Sequence, residues 1–339
     1  MGGKVRIGVI GAGRIGRLHA QNIVRRIPEG EVVAVSDVIK KAAEECATAL
    51  GIPHAYDDPR KILEDKSIEA VLICSSTDTH STLIEEAAEA GKHIFCEKPI
   101  DFDLNRIDRA LQKVEQAKVK LQIGFNRRFD HNFKRVRQAV EEGKLGKLYS
   151  IRIISRDPAP PPIEYVKVSG GLFLDMMIHD FDMARFLTGK EVEEVYTLAG
   201  VMVDPEIGKA GDVDTALVTL KFSDGTIGSI DNCRKAVFGY DQRVEILGSE
   251  GMIQTENDRP NTARLATSKA VCEDLPLFFF LERYTESYVS EIQTFITCIQ
   301  KDLVPPVTGK DGRIPVVMGK AARLSYDERR PVKLSEIGG

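Results

Sequence analysis

The sequence predicts an α/β protein with a doubly wound parallel sheet in its N-terminal part and, in its C-terminal part, an α/β domain with an open, largely antiparallel mixed sheet. Two observations carry this prediction. Short apolar runs alternate with helical patterns as far as Gly124, which implies right-handed crossovers between parallel strands. After Phe125 the pattern changes to alternating strands joined by turns. Because 339 residues exceed what a single core usually organises, we expect two domains, 1–124 and 125–339.

Five apolar runs in the first part are typical of buried strands. They lie at Val5–Ile10, Val32–Ser36, Ala70–Cys74, His93–Cys96 and Leu121–Gly124. Between them, apolar residues spaced by three and four, as at Leu104, Ile107 and Leu111, predict helices that bury one face.

The second part begins with a predicted strand at Lys147–Arg156. Four prolines in the segment 157–162 exclude a helix or a central strand and predict a stiff loop. A single helix is expected over Gly171–Leu187, and Asp224-Gly225 predicts a hairpin turn. Amphipathic helices near Thr285–Ile299 and Val316–Asp327 close the chain, and we expect the last to pack on the first domain.

Composition excludes several classes of partner. The net charge of −4 and pI near 6.0 argue against nucleic acid and anionic membrane, which both need a basic face. No apolar run approaches the roughly 20 residues of a membrane span. The first strand follows MGGKVR almost at once, so no signal peptide is expected. The six cysteines form no C-x-x-C pair, which favours reduced thiols in a cytoplasmic protein.

The segment GAGRIG carries the G-x-G-x-x-G spacing directly after the first predicted strand. Gly11 permits a tight turn, Gly13 lets backbone N–H groups approach a pyrophosphate, and Gly16 allows close helix–strand packing. Arg14 and Ile15 lie between these glycines and are predicted cofactor contacts, because the N-terminus of the following helix offers free N–H donors and a positive dipole end to phosphates. The motif therefore predicts dinucleotide binding, and the alternative is a merely structural turn.

Asp37 follows 21 positions after Gly16, at the end of the apolar run VVAVSD. A carboxylate there can accept hydrogen bonds from an adenosine ribose and repel a 2′-phosphate. We therefore expect NAD rather than NADP.

Polar residues follow the strand that ends near Cys74. Ser75, Ser76 and Thr77, with His80 three positions on, are predicted cofactor contacts because ligands of such sheets bind at the carboxyl ends of strands. The alternative is a helix N-cap by Thr77 or Thr79, and both roles can coexist.

Glu97, Lys98 and Pro99 follow the next strand. A lysine at this edge donates three hydrogen bonds and is well placed for polar catalysis, and we include Glu97 and Lys98 among the cofactor contacts. From position alone, a surface lysine before a turn proline is an equal alternative.

A polar stripe interrupts the predicted helix 171–187. Asp175, His179 and Asp182 fall at i, i+4 and i+7, which places them on one helix face. Histidine suits proton transfer at neutral pH, and a carboxylate can orient it. A structural histidine is one alternative. A metal site is another, but no H-E-x-x-H or other metal-ligand spacing occurs, so no metal is expected.

In this order, the motifs resemble the Gfo/Idh/MocA oxidoreductase family over essentially the whole chain. The resemblance rests on GAGRIG, on CEKP at Cys96–Pro99, and on the Asp175…His179 helix. Further details, such as GFNRRFD from Gly124 and GYDQRVEILG from Gly239, are most similar to the inositol 2-dehydrogenase branch.

The resemblance implies site roles. Lys98 would contact substrate and nicotinamide ribose, and His179 would act as the base with help from Asp175. Arg127, Asp157 and Tyr240 would line a polyol. Some inositol enzymes carry histidine and asparagine where this chain has Ser155 and Asp157, so the identity of the polyol stays open.

The expected function is NAD-dependent oxidation of a secondary hydroxyl of a cyclic polyol, with myo-inositol as the first candidate. Another inositol isomer or a sugar is the alternative within enzymes. A regulatory protein that senses NAD or a sugar on the same fold is the alternative of another class. The family's second sheet commonly forms subunit contacts, which implies a dimer or a tetramer.

Overall fold

The computed structural model describes residues 3–338. Its strands are β1 (Val5–Ile10), β2 (Gly30–Ser36), β3 (His54–Tyr56), β4 (Ala70–Ile73), β5 (His93–Glu97), β6 (Leu121–Gly124), β7 (Leu148–Arg156), β8 (Val192–Gly200), β9 (Thr215–Phe222), β10 (Ile227–Cys233), β11 (Asp241–Gly248), β12 (Gly251–Gln254), β13 (Arg264–Ala266), β14 (Val271–Glu273) and β15 (Val332–Lys333). Its α-helices are α1 (Arg14–Arg26), α2 (Lys40–Leu50), α3 (Arg60–Glu64), α4 (Thr77–Glu89), α5 (Leu104–Ala117), α6 (His131–Glu141), α7 (Ile163–Val166), α8 (Gly171–Asp175), α9 (Ile178–Thr188), α10 (Pro205–Lys209), α11 (Phe280–Arg283), α12 (Thr285–Gln300) and α13 (Gly309–Glu328). Short 3₁₀ helices lie at Asn126–Phe129 and Leu334–Glu336.

The chain divides into two compact units. The first runs to Phe129 and also includes Glu286–Ile314, whereas the second comprises Asp130–Thr285 and the stretch from Pro315 onward. The sequence analysis places the boundary at residue 124 and expects the last helix to return to the first domain. The segment that joins the first unit is instead most of α12 with the start of α13. Its apolar side chains explain this, because Ile292, Phe295 and Ile296 complete the core around β1.

The sheet of the first unit has the strand order β3-β2-β1-β4-β5-β6, and every neighbouring pair is parallel. This confirms the predicted doubly wound sheet. The order reverses between β1 and β4, where Ile10 pairs with Ile73. Ligands of open parallel sheets bind outside the carboxyl ends of the strands at such a reversal.

The sheet of the second unit has the order β12-β11-β7-β10-β9-β8-β15. Among the described strands, only β7 and β10 pair in parallel, and the other neighbours are antiparallel. The predicted mixed sheet is therefore confirmed, as is the hairpin at Asp224-Gly225, which joins β9 to β10. Alternate residues of β9 are buried, so one face of this sheet packs on the core and the other lies open.

The single helix predicted over 171–187 is wrong. The carbonyl of Leu172 accepts hydrogen bonds from both Met176 N and Met177 N, which interrupts the regular helical ladder between α8 and α9. Asp175 thus ends α8, while His179 lies in the first turn of α9. Asp182 is fully buried and does not continue a half-exposed polar stripe.

The helices and thiols bear on two further expectations. Within residues 3–338, no helix is both long and apolar enough to cross a bilayer. All six cysteines are free thiols, as predicted from their spacing.

A buried cluster joins α1, β5 and α12 within the first unit. His19 Nε2 lies 2.7 Å from Glu97 Oε1 and 3.9 Å from Glu291 Oε1. Phe95 and Tyr288 pack edge-on against the His19 ring. Glu291 is fully buried, and neither of its carboxylate oxygens has a hydrogen-bond partner in the described part of the chain. Burial, followed by the nearby charge of Glu97, raises the pKa of the Glu291 carboxyl well above its ordinary value of 4.5.

A carboxyl whose pKa is raised by folding stabilises the fold fully below its unfolded pKa and progressively less as the pH rises toward its folded pKa. We therefore expect Glu291→Gln, which cannot ionise, to gain melting temperature relative to the parent protein as the pH rises from about 5 to about 9. Calorimetry across this range measures the difference. The control is Glu286→Gln on the same helix, where the carboxylate is exposed and the difference should stay flat. A Glu291→Gln difference that does not change with pH would contradict the prediction.

Candidate active site

The glycine loop after β1 is shaped by close contacts. Gly11 has φ +101°, and a Cβ there would lie 2.5 Å from the carbonyl oxygen of Cys74. A Cβ on Gly16 would lie 1.8 Å from the carbonyl oxygen of Gly11, so only glycine lets α1 begin this close to the strand end. At Gly13 no described atom lies within 4 Å of such a Cβ, which leaves the backbone open to approach. Each glycine thus has the structural property that the sequence analysis assigned to it.

The N-terminus of α1 is available to an anion. Gly13 occupies the N-cap position, and no side chain caps the helix. The first-turn N–H groups, which include those of Arg14 and Ile15, therefore keep the donor character that suits a phosphate. Arg17 Nε donates to the carbonyl of Ala12 at 2.9 Å and holds the loop against the helix. These features fit a dinucleotide pyrophosphate.

Asp37 ties the end of β2 to the glycine loop. Its Oδ2 accepts from Ala12 N at 2.8 Å, and its Oδ1 accepts from Ile39 N at 2.8 Å. The carboxylate is partly exposed, and each oxygen retains further acceptor capacity for a ribose hydroxyl. Lys40 and Lys41 follow on an exposed helix start.

The segment after β4 begins α4. Ser76 is the N-cap of this helix and makes no side-chain capping bond, so the N-cap predicted at Thr77 or Thr79 is wrong. Instead, the hydroxyls of Ser75 and Thr79 lie 2.7 Å apart, and Thr79 also donates to the carbonyl of Ser76. The side chain of Thr79 is thus directed back toward its own loop.

His80 is buried and connects two strand ends. Its Nδ1 lies 2.8 Å from the carbonyl oxygen of Pro99, and its Nε2 lies 3.1 Å from that of Ser75. Burial lowers the pKa of the His80 imidazole despite these carbonyls. In this structure His80 therefore holds the segments after β4 and β5 together, and a direct cofactor contact stays a prediction.

Lys98 lies in the bend that follows β5 and is half-buried. Glu97, the last residue of β5, belongs to the buried cluster with His19. Arg127 is buried in the 3₁₀ helix that follows β6. The predicted residues of the first unit thus follow β1, β2, β4, β5 and β6 at the carboxyl edge of one sheet, where ligands of such sheets bind.

The cluster of His19, Glu97 and Glu291 also meets a simple geometric criterion for a metal site. Its possible ligand atoms lie within 4.8 Å of one another, and no other such group occurs among residues 3–338. Metal-binding histidines usually donate their second ring nitrogen to a carboxylate or carbonyl. His19 Nδ1 has no such partner among the described residues, and Nε2 already makes a short bond to Glu97. These contacts favour a hydrogen-bonded cluster over a metal centre.

A polar cluster lies where the neighbouring inner strands β7 and β10 of the second sheet end. Arg234 Nη1 is 3.0 Å from Asp175 Oδ2 and 3.7 Å from Asp157 Oδ2. The hydroxyl of Tyr165 donates to Asp175 Oδ1 at 2.8 Å. The structure thus brings together two predicted residues, Asp157 and Asp175, through an arginine that the sequence analysis missed.

Strand pairing explains why Arg234 and Asp157 meet. Because β7 and β10 are parallel with Arg156 opposite Cys233, the residues that follow the two strands lie next to each other, at the ends of these strands. Asp157 N donates to the carbonyl of Cys233 at 3.0 Å, which fixes the start of the proline-rich loop. The signal for Arg234 was its position directly after a strand, but the parallel pairing could not be deduced from local sequence.

His179 is half-buried in the first turn of α9. The next residue, Asp180, is fully buried and accepts from Asn232 Nδ2 at 2.9 Å, which anchors this helix to β10. Tyr240 is also buried and packs edge-on against Tyr284, with ring centroids 5.9 Å apart. The roles assigned to His179 and Tyr240 stay predictions.

Comparisons with known proteins agree with this architecture. A family model described as "Oxidoreductase family, NAD-binding Rossmann fold" matches residues 5–125, and one described as "GFO/IDH/MocA C-terminal domain" matches residues 133–254. The myo-inositol 2-dehydrogenase of Thermotoga maritima is 51% identical over 99% of this chain and 100% of its own length. The inositol 2-dehydrogenase of Rhizobium meliloti is 44% identical over 98% and 99%.

Solved structures show the same likeness. The scyllo-inositol dehydrogenase of Lactobacillus casei, solved with bound NAD(H) and scyllo-inositol, superposes with a TM-score of 0.92 at 31% identity, covering 98% of this chain and 99% of that one. The glycine loop, the carboxylate after β2 and the full-length sequence identities to these relatives all indicate the same family. The chain therefore belongs to the Gfo/Idh/MocA family of NAD-binding oxidoreductases.

Proposed function

We propose that this oxidoreductase removes hydride from a secondary hydroxyl-bearing carbon of an inositol, with myo-inositol as the first candidate substrate. The observation that carries the proposal is the full-length similarity to inositol 2-dehydrogenases, at up to 51% identity. The polar cluster of Asp157, Asp175 and Arg234 supports it, because a polyol needs several fixed donors and acceptors.

The chemistry follows from the alcohol. Bound NAD supplies the hydride acceptor. Hydride does not leave a neutral alcohol readily unless the hydroxyl proton departs as well, so a base is required. In our proposal, the neutral imidazole of His179 takes this proton and Asp175 orients the ring. The ammonium group of Lys98 stabilises the developing alkoxide by its positive charge.

Substrate recognition is assigned to three further residues. Arg127 offers a forked set of donors, Asp157 offers acceptors, and Tyr240 offers a hydroxyl. Ser155, where some inositol enzymes carry histidine, is fully buried and donates to Gln242 Oε1 at 3.0 Å. Turnover of the different inositol isomers, compared with turnover of sugars, identifies the preferred substrate.

We also propose that the protein is cytoplasmic and forms a dimer or a tetramer through the open face of its second sheet. The free cysteines support a reducing compartment.

Two rows of side chains run across the open face of the second sheet. In the first row Leu198 is opposite Leu217. In the second row Ile227 and Leu247 are each opposite Ser150 on the strand between them, and Met252 is opposite Leu247. The five apolar members of these rows are exposed, which is typical of an interface that a second copy can cover with the same surface.

Loss of the proposed base should be visible in turnover. We expect the parent protein to reduce NAD with at least one inositol isomer and His179→Ala to lower kcat by roughly 10²–10⁴-fold, the usual effect of a positioned base. NAD binding should stay unchanged, since the glycine loop and Asp37 belong to the first unit. His131→Ala is the matched control, because His131 is an exposed histidine of the second unit. Retention of most activity by His179→Ala would make Lys98 the leading proton acceptor.

Cofactor preference tests the role of Asp37. We expect the parent protein to prefer NAD, and Asp37→Ser to shift the kcat/KM ratio toward NADP by roughly 10-fold or more, since about 1.4 kcal/mol of removed repulsion has that effect. Asp37→Asn should give a smaller shift because it keeps an acceptor for the ribose and for Ala12 N. Equal kcat/KM for both cofactors in the parent protein would refute the assignment.

Assembly tests the open face of the second sheet. Light scattering at micromolar concentration should show a dimer or a tetramer, and Leu217→Lys, which places a charge within the apolar rows, should favour smaller species. Val304→Lys is the control, because Val304 is equally apolar and more exposed but lies in the first unit. A monomeric parent protein would overturn the proposal.

A further inference from the structure

We propose that Arg234 is a positioning residue for this reaction: it fixes Asp175 in one orientation and couples it to Asp157. The inference rests on the proposed function, because Asp175 orients the base in that scheme. It adds a residue whose role follows from its contacts in the second unit.

Two other segments contact the carboxylate of Asp175, which is the last residue of α8. Arg234, directly after β10, holds Oδ2 at 3.0 Å, and Tyr165 in α7 holds Oδ1 at 2.8 Å. Because different partners hold the two oxygens, both the position and the plane of the carboxylate are fixed. Asp157, which begins the proline-rich loop, lies on the same Arg234 nitrogen at 3.7 Å.

Arg234 is a buried cation beside two carboxylates. The Arg234 side chain is only 3% exposed, and burial of a cation is costly unless anions surround it. Burial alone would lower the pKa of Arg234, but the charges of Asp175 and Asp157 outweigh it and raise that pKa above its ordinary value. Since a guanidinium stays protonated at any accessible pH, it provides a constant positive charge beside both carboxylates.

Another buried arginine of the same unit, Arg185, makes a different set of contacts. Arg185 makes a two-bond pair with Glu191, with distances of 2.6 and 2.9 Å, as expected of an arginine that secures two elements. Arg234 makes a single close bond, and its buried Nε and Nη2 have no hydrogen-bond partner among residues 3–338. A fold-stabilising arginine would use its donors more fully. The contacts of Arg234 therefore favour control of the carboxylate over simple cross-linking.

Fixing Asp175 affects the neighbouring helix. Asp175 ends α8, and the helix that carries His179 begins three residues later. A carboxylate that orients a base has to be held within a fraction of an ångström, since small misplacements cost large factors in rate. Without Arg234, the Oδ2 atom of Asp175 would lose its contact at 3.0 Å, whereas the bond from Tyr165 to Oδ1 comes from a half-exposed side chain.

The test measures inositol oxidation by Arg234→Gln, Arg234→Lys and the control Arg185→Gln. We expect Arg234→Gln to lower kcat by roughly 10–100-fold with the KM for NAD unchanged, and Arg234→Lys to recover part of the loss because it restores the charge. Arg185→Gln should lower the melting temperature and leave kcat within about twofold. Tyr165→Phe removes the hydrogen bond to Asp175 Oδ1 without removing a buried charge, and it should lower kcat severalfold. This variant replaces Arg234→Gln in the test if Arg234→Gln does not fold.

A double-mutant cycle separates positioning from general structural damage. If Arg234 acts through Asp175, Arg234→Gln should lower kcat by less than about threefold in an Asp175→Asn background. Two results overturn the inference while the proposed function stands. In the first, the parent protein is active and Arg234→Gln leaves its kcat unchanged. In the second, the fold-losses in kcat of Arg234→Gln and Asp175→Asn multiply in the double variant. A parent protein that oxidises no inositol overturns the proposed function itself and the inference with it.

Discussion

The close approach of α1 to the end of β1 is the constraint on which the first unit depends. Gly16 permits it, because any side chain there would meet the carbonyl of Gly11. At this distance α1 presents its uncapped N-terminus beside the strand ends and also brings His19 to Glu97 at the end of β5. Lys98 is the next residue. The N-terminus of α1 and Lys98, the lysine proposed to act in catalysis, are therefore linked through one helix and one hydrogen bond.

The second unit depends on a different constraint, the single parallel pair among the described strands of its sheet. Because β7 and β10 run in the same direction, Asp157 and Arg234 leave the sheet together. The break between α8 and α9 then places Asp175 against the same guanidinium. In an antiparallel pair, these two residues would follow opposite ends of the sheet. Topology therefore decides which charges can meet, and side-chain chemistry decides what they do there.

This difference explains what the sequence could predict. The glycine loop and the hairpin at Asp224-Gly225 depend on a few neighbouring residues, so local patterns predicted them. The arrangement of Arg234 depends on pairing between distant strands, and the return of α12 depends on a core built by segments about 200 to 290 residues earlier. The helix break at Met176 depends on a shared carbonyl that no local propensity records. Local turns were predictable, whereas long-range pairing was not.

The two units also stabilise carboxyl groups in different ways. In the first, the oxygens of Glu291 accept no hydrogen bond within the described chain, and burial raises its pKa so that a proton can neutralise it. In the second, Asp175 has a guanidinium at 3.0 Å, a cation that does not titrate in the accessible range. A neutral carboxyl suffices to fill a core beside His19. A carboxylate that orients a base has to keep its charge through the catalytic cycle, because an imidazolium must be stabilised each time a proton is taken. In the proposed mechanism Asp175 has this role, and the permanent charge of Arg234 maintains it despite the cost of burying a guanidinium.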